Sequence, residues 1–269
     1  MHILGLKFSN MLRPEVSIII VNYNTAREIE TCLISIQNSK GKSQNLEIIV
    51  VDNASTDNSV KVIKKFFQVK LIQNKENLGF AKANNIGAAA ATGNFFFFLN
   101  PDCEIQKDTI QKLLEFAKKN PNSIIGPKLS NPDGSQQGSC YNLPTIWGAI
   151  KEFWLNVKGA YEKFAPTGDK PVKVQAIVGA AMLVSKNIFE KIGGFSEKYF
   201  LYYEDLDFCQ RATKLGIPVY YHPQAIVTHS LGRAGGNLEH LKKSAKIYHG
   251  AAIYWLITLI IKIGQWLKF

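Results

Sequence analysis

The 269-residue chain predicts an α/β fold, a mostly parallel central sheet flanked by helices with a helical extension at the C-terminus. Between Val16 and Asn100, short apolar runs alternate with helical stretches, the pattern of βαβ units. One run, Phe95-Phe96-Phe97-Phe98-Leu99, is too short for a membrane span and ends abruptly at Asn100-Pro101-Asp102, as a strand covered on both faces does. Gly250 to Ile261 stays uncharged before Lys262, which marks a separate apolar helix.

The elements follow in order. Val16 to Val21, Leu46 to Val51, Val69 to Ile72 and Asn94 to Leu99 read as strands. Ala26 to Asn38, Asn58 to Phe67 and Phe80 to Thr92 read as helices, the last rich in alanine, the best helix former. Together they make a nucleotide-binding half over about residues 14–102. Asp108 to Lys119 continues as a helix. Ser130 to Pro171 is expected to be irregular, because Pro, Gly and Asn interrupt any period, and to face the variable substrate. Val174 to Ser185, a short helix to Ile192, a polar block at Tyr199 to Leu215 and two short strands ending near Tyr221 and His229 complete an acceptor-side half, 103–236. Residues 237–269 form the extension.

Composition bounds the class. With 46% hydrophobic residues, the chain can bury a substantial core. Cys32, Cys103, Cys140 and Cys209 show no CxxC spacing, which points to reduced thiols in a cytosolic compartment. Met1 to Arg13 lacks the long hydrophobic core of a secretory signal, so the body is expected in the cytoplasm. The net charge of +11 suits nucleic acid, an anionic membrane or a polyanionic substrate. No nucleic-acid motif is present, which leaves membrane and diphosphate.

The extension carries five lysines against one acid, Glu239, beside an apolar run with Trp255 and Trp266. That run is short of the roughly 20 residues a spanning helix needs. It reads as an interfacial segment at the inner face of the cell membrane, or as a helix docked on the domain or on a second subunit in a homodimer. The stretch from Trp147 to Lys163 has two readings as well. Its aromatics and lysines could contact a lipid-linked glycan, or form an amphipathic helix packed on the domain.

Ligands of open parallel sheets lie beyond the carboxyl ends of the strands. Strand one ends in Asn22-Tyr23-Asn24 and strand two in Asp52-Asn53-Ala54-Ser55-Thr56-Asp57, which puts polar side chains at that edge. Asp52 could accept from a pyrimidine N–H; alternatively it and its neighbours cap the next helix. Asn77-Leu78-Gly79 precedes a helix whose N–H groups can face a diphosphate. Asp102 could bind Mg²⁺ or Mn²⁺, which prefer oxygen ligands, or serve only its turn. His229 would be its companion on the metal, or an edge histidine. In Tyr203-Glu204-Asp205-Leu206-Asp207, a helix start would pair Asp207 with Arg211 at i,i+4 and leave Asp205 or Glu204 for proton transfer.

In order, the segments VSIIIVNYN, VVDNASTDNS, NLGFAKANNIG, FFFFLNPD, VGAAMLVS and GGFSEKYFLYYEDLDFCQRATKLGIPVYYHPQAIVTH resemble the family 2 inverting glycosyltransferases of GT-A fold, especially bacterial rhamnosyltransferase-like members. The resemblance runs from Val16 to about Gly232 and implies roles. Asp52 would read the base of a dTDP- or UDP-sugar, with Asn22, Asn24, Asn53, Asn77, Gly79 and Asn84 holding nucleoside and diphosphate. Asp102 would be the metal carboxylate and His229 a further ligand. Asp205 would be the catalytic base, with Glu204 as the second candidate, and Gly179 and Ala180 would line the sugar pocket. The implied activity is transfer of a rhamnose-like sugar to a glycan or lipid-linked acceptor in polysaccharide synthesis. Asn100 stands where the family's DxD-type motif has its first carboxylate, which predicts weak metal affinity without donor. A nucleotidyltransferase would need a Gly-rich, basic loop after strand one, which Asn22-Tyr23-Asn24-Thr25 does not supply. An inactive scaffold of the same fold is the remaining alternative.

Overall fold

Six residues of Val, Ile and Ser followed by Asn, every one buried, can only be an interior strand, and this run lies inside the sheet as β1 (Val16–Asn22). The structure is a computed structural model and describes residues 13–39, 45–230 and 237–266. The reading of Met1 to Arg13 as free of a signal and the junction at residue 236 therefore lie almost wholly outside the described residues.

The first half unfolds as expected. After β1 come α1 (Ala26–Ser39), β2 (Leu46–Asp52), α2 (Ser59–Ile63), β3 (Val69–Gln73), α3 (Phe80–Ala90) and β4 (Phe95–Leu99). β3, β2, β1 and β4 lie side by side and parallel. The helix expected over Asn58 to Phe67 is only five residues long. Val60, Val62 and Ile63 are β-branched and propagate a helix poorly, and Lys65 and Phe66 close tighter i→i+3 turns instead.

The second half is mixed. β5 (Cys103–Ile105), α4 (Thr109–Lys119), β6 (Ile124–Ser130), β7 (Cys140–Tyr141) and α5 (Ile146–Phe153) are followed by β8 (Val172–Val174), β9 (Ala176–Ile177), β10 (Ala181–Ser185) and α6 (Lys186–Ile192). α7 (Glu204–Lys214), β11 (Val219–His229), α8 (Leu238–His249) and α9 (Ala251–Trp266) complete the described chain. β10 runs antiparallel to both β4 and β6, while β6 and β11 are parallel.

Several expectations are corrected here. The run Val174 to Ser185 is not one strand, because residues 178–180 leave the ladder and spend their backbone groups elsewhere: Val178 N–H donates to Ser139 O and Asn100 N–H to Ala180 O. The two short strands ending near Tyr221 and His229 are one strand, β11, with a register shift between His222 and Ile226 around Pro223, which has no N–H to give. β6 was masked in the sequence by Gly126 and Pro127; Pro127 is tolerated because β10 pairs with β6 only at Ile124 and Ile125. Ser130 to Pro171 is not wholly irregular. It holds α5, capped by Thr145 Oγ1 accepting from Gly148 N–H at 2.9 Å.

Phe96, Phe97 and Phe98 are at most 1% exposed and point alternately into two cores on opposite faces of the sheet. The four cysteines are buried free thiols. A third, smaller cluster of Ala149, Phe153, Ile257 and Ile260 joins α5 to α9.

Candidate active site

The carboxyl edge of the parallel strands gathers most of the polar residues named above. β1 and β2 end in register at Asn22 and Asp52. Asn22 Nδ2 donates to Asp52 Oδ1 at 2.8 Å, and Ser55 N–H donates to the other carboxylate oxygen at 3.0 Å. Asn24, held at φ 54°, accepts from Thr56 N–H at 2.8 Å. These bonds stitch the loops after β1 and β2 into one edge. Asp52 is 1% exposed beneath it. Asp52 does not cap α2, where Asp57 accepts from Ser59 N–H at 2.9 Å; it bridges the two loops, and a carboxylate with about four lone-pair sites still has capacity left beyond these two donors.

Asn53 carries the edge to the next loop. Its Nδ2 donates to Gly79 O at 3.2 Å while its Oδ1 accepts from Asn74 Nδ2 at 2.8 Å. Asn77 Oδ1 accepts from Gly79 N–H at 3.0 Å. Gly79 sits at φ 83°, and a Cβ there would stand 2.6 Å from the Phe200 carbonyl oxygen. That carbonyl accepts from Phe80 N–H at 2.7 Å. The start of α3 is thus tied to the loop that leads into Glu204 and Asp205, and is not fully open to a diphosphate. Asn84 is buried, with Nδ2 donating to Phe80 O at 3.0 Å inside the same helix. Asn77 and Asn84 meet the edge only through Gly79 and its neighbours.

Beyond β4, the Asn100-Pro101-Asp102 turn brings a carboxylate against the end of β11. His229 Nε2 lies 3.4 Å from Asp102 Oδ1. His229 Nδ1 lies 2.7 Å from Gln137 Oε1, and Gln137 Nε2 donates to His229 O at 3.1 Å and to Asn131 Oδ1 at 2.7 Å. With the amide nitrogen spent on those two carbonyl oxygens, Oε1 is the acceptor, so Nδ1 carries the imidazole proton. That leaves Nε2 as the ring atom facing the Asp102 carboxylate, where a divalent cation between the two would be shared by both. The Asn100 Oδ1 atom is buried at the same turn with no hydrogen-bond partner.

Asp102, Cys103 and His229 offer ligand atoms within 4.8 Å of one another. Cys103 is a poor member of the set. Its Sγ donates to Ala180 O at 3.5 Å and burial pushes its thiol well above the ordinary value, so it stays neutral. One carboxylate and one imidazole remain, a donor set that fits a divalent cation sharing the substrate's phosphate oxygens.

The acid side of the site is joined to this turn by two residues. Ala180 O accepts from Asn100 N–H at 2.8 Å, and the adjacent Gly179 donates its N–H to Asp205 Oδ2 at 2.8 Å. Leu206 N–H donates to the other oxygen at 2.8 Å. Burial raises the Asp205 carboxyl above its usual range, while these N–H donors and the charge of Lys163 pull the other way. Glu204 is buried, its Oε2 has no partner, and burial together with the Asp205 charge raises it well above the usual range. Glu204 is therefore the protonated member of the pair and Asp205 the one equipped to carry charge. Asp207 is spoken for as expected, accepting from Arg211 Nε at 2.7 Å.

Gln137 had no signal in the sequence, since it lies in the stretch without periodicity. The Ala180 carbonyl that holds the Asn100 turn is a backbone group and equally invisible to residue type.

A central sheet of this order with these loops at its carboxyl edge is the GT-A fold of glycosyltransferases. The chain belongs to glycosyl transferase family 2, whose sequence profile matches residues 17–193. A second profile, described as the N-terminal domain of galactosyltransferase, matches residues 160–232. Among characterised proteins, the chain is similar to the N-acetylglucosaminyl-diphospho-decaprenol L-rhamnosyltransferase of Mycobacterium tuberculosis, at 27% identity over 81% of this chain and 77% of that one. It is 28% identical to the dTDP-rhamnosyl transferase RfbF of Shigella flexneri, over 80% of this chain and 68% of that one. The fold matches GalNAc-T7 crystallised with UDP, GalNAc and Mn²⁺, with a TM-score of 0.66 at 17% identity over 88% of this chain. It also matches S. aureus TarS 1-349, with a TM-score of 0.60 at 16% identity over 87% of this chain. The chain spans 48% and 64% of those two solved chains.

Proposed function

We propose that this chain is an inverting, metal-dependent glycosyltransferase that moves a rhamnose-like sugar from a nucleoside-diphosphate sugar to a hydroxyl of a glycan or lipid-linked acceptor. The observation that carries the reading is the continuity of the edge from Asp102 through Ala180 and Gly179 to Asp205. Gly179-Ala180 hydrogen-bonds on one side to the turn that carries Asp102, through Asn100 N–H, and on the other to the Asp205 carboxylate.

Residues 14–102 form the donor half, residues 103–236 the acceptor half, and 237–269 the extension. Asn22, Asn24, Asp52 and Asn53 shape the loops that would hold the nucleoside, with Asp52 fixing the edge against which the base is read. Asn100 Oδ1, buried and unpaired, is an acceptor in wait for a donor group of the substrate. Asp102 and His229 would hold Mn²⁺ or Mg²⁺, which supplies Lewis-acid stabilisation of the departing diphosphate. Gly179 keeps the sugar pocket open beside Asp205, since a Cβ there would stand 3.0 Å from Asp205 Cβ.

Asp205 takes the proton of the acceptor hydroxyl as its oxygen bonds to the anomeric carbon. The bond from that carbon to the diphosphate oxygen breaks on the opposite face, so configuration inverts and a nucleoside diphosphate leaves. General-base help of this kind is typically worth ~10²–10⁴ in rate.

The rhamnosyl donor rests on the similarity to the two rhamnosyltransferases named above. A UDP-sugar donor is the alternative, favoured by the match to the galactosyltransferase profile and by the fold shared with a UDP-bound structure. Thermal shift with dTDP-rhamnose, UDP-glucose, UDP-N-acetylglucosamine and GDP-mannose, each with and without Mn²⁺, separates them. The largest Mn²⁺-dependent stabilisation is expected from dTDP-rhamnose. An inactive scaffold would turn over none of these donors.

A further inference from the structure

All four tryptophans of the chain, Trp147, Trp154, Trp255 and Trp266, lie on α5, its C-terminal end or α9, and every one of them is between 46% and 76% exposed. Exposed tryptophan is costly in water, and gathering the whole complement of a protein on two packed helices asks for a partner. The helices are joined by a small buried cluster and by Trp154 Nε1 donating to Ile260 O at 2.9 Å. Gly264 lets them close, since a Cβ there would stand 2.7 Å from both Phe153 Cβ and Trp154 Cδ1. α9 therefore buries one face, at Ile257 and Ile260, and presents Leu256 and Leu259 on the other.

We infer that the exposed faces of α5 and α9 form a docking surface for an anionic lipid bilayer, on which the protein lies without spanning it. No single described helix is long and apolar enough to cross a membrane. The 16 described residues of α9 extend about 24 Å against a hydrocarbon core of roughly 30 Å, and α8 and α9 reach the length and apolarity of a span only as a pair bent by 119° at Gly250. Length thus favours lying in the interface, where tryptophan rings sit by preference.

Charge selects the partner. The chain from Asn237 onward holds five lysines and one acid, and Lys246 lies 5.1 Å from the Trp255 ring centre. On the α5 side, Lys151 and Lys158 are exposed. Of the two acids in that stretch, Glu152 is turned inward, accepting from Gly159 N–H at 3.1 Å and Tyr161 N–H at 2.9 Å, and Glu162 is exposed next to the equally exposed Lys163. Two copies of so basic a face would repel, whereas anionic headgroups attract it at about 1 kcal/mol per basic residue near the surface.

The surface also adjoins the acid that accepts the proton. Tyr161, eight residues beyond α5, hydrogen-bonds Tyr203, and Ser244 of α8 donates to Leu201 O at 2.7 Å. Both contacts grip the loop immediately before Glu204 and Asp205. A lipid-borne acceptor would arrive at the side of the site where its hydroxyl is needed.

Because every tryptophan belongs to this surface, intrinsic fluorescence reads it alone. The full chain is mixed with vesicles of phosphatidylglycerol and phosphatidylcholine, or of phosphatidylcholine only, with brominated chains in a parallel set. Expected are co-sedimentation with the anionic vesicles that weakens with salt, a blue shift, and quenching by the brominated lipid. The Leu256→Glu/Leu259→Glu double variant, both positions exposed, should keep its thermal melt and lose binding on the order of tenfold. Absence of quenching in the unmodified protein would overturn the inference. So would equal binding by the double variant, or a stable dimer in solution whose emission is unchanged by vesicles.

Discussion

Gly179 donates its backbone N–H to Asp205 Oδ2 at 2.8 Å, and an added Cβ at Gly179 would stand 3.0 Å from Asp205 Cβ. The contact fixes one carboxylate oxygen and leaves room for no side chain beside it. Gly179→Ala should therefore disturb Asp205 before anything else. A fall in kcat of at least about tenfold with nucleotide affinity nearly unchanged is expected, read from initial rates and calorimetric titration of the nucleoside diphosphate.

Asp205→Asn removes the proton acceptor while keeping size and one hydrogen-bond acceptor. Transfer should fall by ~10²–10⁴ with donor affinity retained. Parallel loss of donor binding would assign Asp205 to the donor instead.

The pH dependence has a defined sign. Burial raises the Asp205 carboxyl, and only its ionised form can take the acceptor proton. Activity should therefore be low at acid pH and rise through a midpoint above that of an ordinary aspartate. Glu204 stays protonated while Asp205 ionises, because the Asp205 charge and burial hold its carboxyl well up, so the neutral Glu204→Gln should leave that midpoint in place. A midpoint moved to lower pH would show instead that Glu204 carries charge while Asp205 titrates.

Gln137 holds His229 in the tautomer that frees Nε2. Gln137→Leu should weaken Mn²⁺ binding in the presence of nucleoside diphosphate by about 10–100-fold, the usual effect of losing a partner behind a metal ligand. Calorimetry with and without the nucleotide reads this directly. With only Asp102 and His229 as side-chain ligands, Mn²⁺ binding without nucleotide should already be weak.

Asp52 supports two loops from beneath. Asp52→Ala leaves Asn22 Nδ2 and Ser55 N–H without this acceptor, at about 1–3 kcal/mol for each buried group left unsatisfied. A lower melting temperature together with weaker donor binding is expected; weaker binding alone would place Asp52 against the base and not under it.

The parallel half was legible because its strands are buried on both faces and announce themselves as continuous apolar runs, Val16 to Val21 and Phe95 to Leu99 above all. Its strand ends pointed to Asn22, Asp52 and Asp102 for the same reason. The mixed half was harder. Pro127 and Gly126 interrupt β6 without ending it, and Pro223 breaks the register of β11 without dividing it. The pairing of Asp207 with Arg211 followed from helical spacing. Gln137 and the Ala180 carbonyl did not, since both act through tertiary contacts between segments far apart in sequence. Asn77 and Asn84 show the converse: their residue type suggested ligand contact, and their amides serve Gly79 and Phe80.

Sugar transfer from a nucleotide donor, with Asp205 as the base, is open to a direct test. Release of nucleoside diphosphate from dTDP-rhamnose, in the presence of Mn²⁺ and membrane-extracted acceptor lipid, tests it for the unmodified protein and Asp205→Asn side by side. Turnover is expected from the first and at most about a hundredth of it from the second. Equal turnover by the two would contradict it.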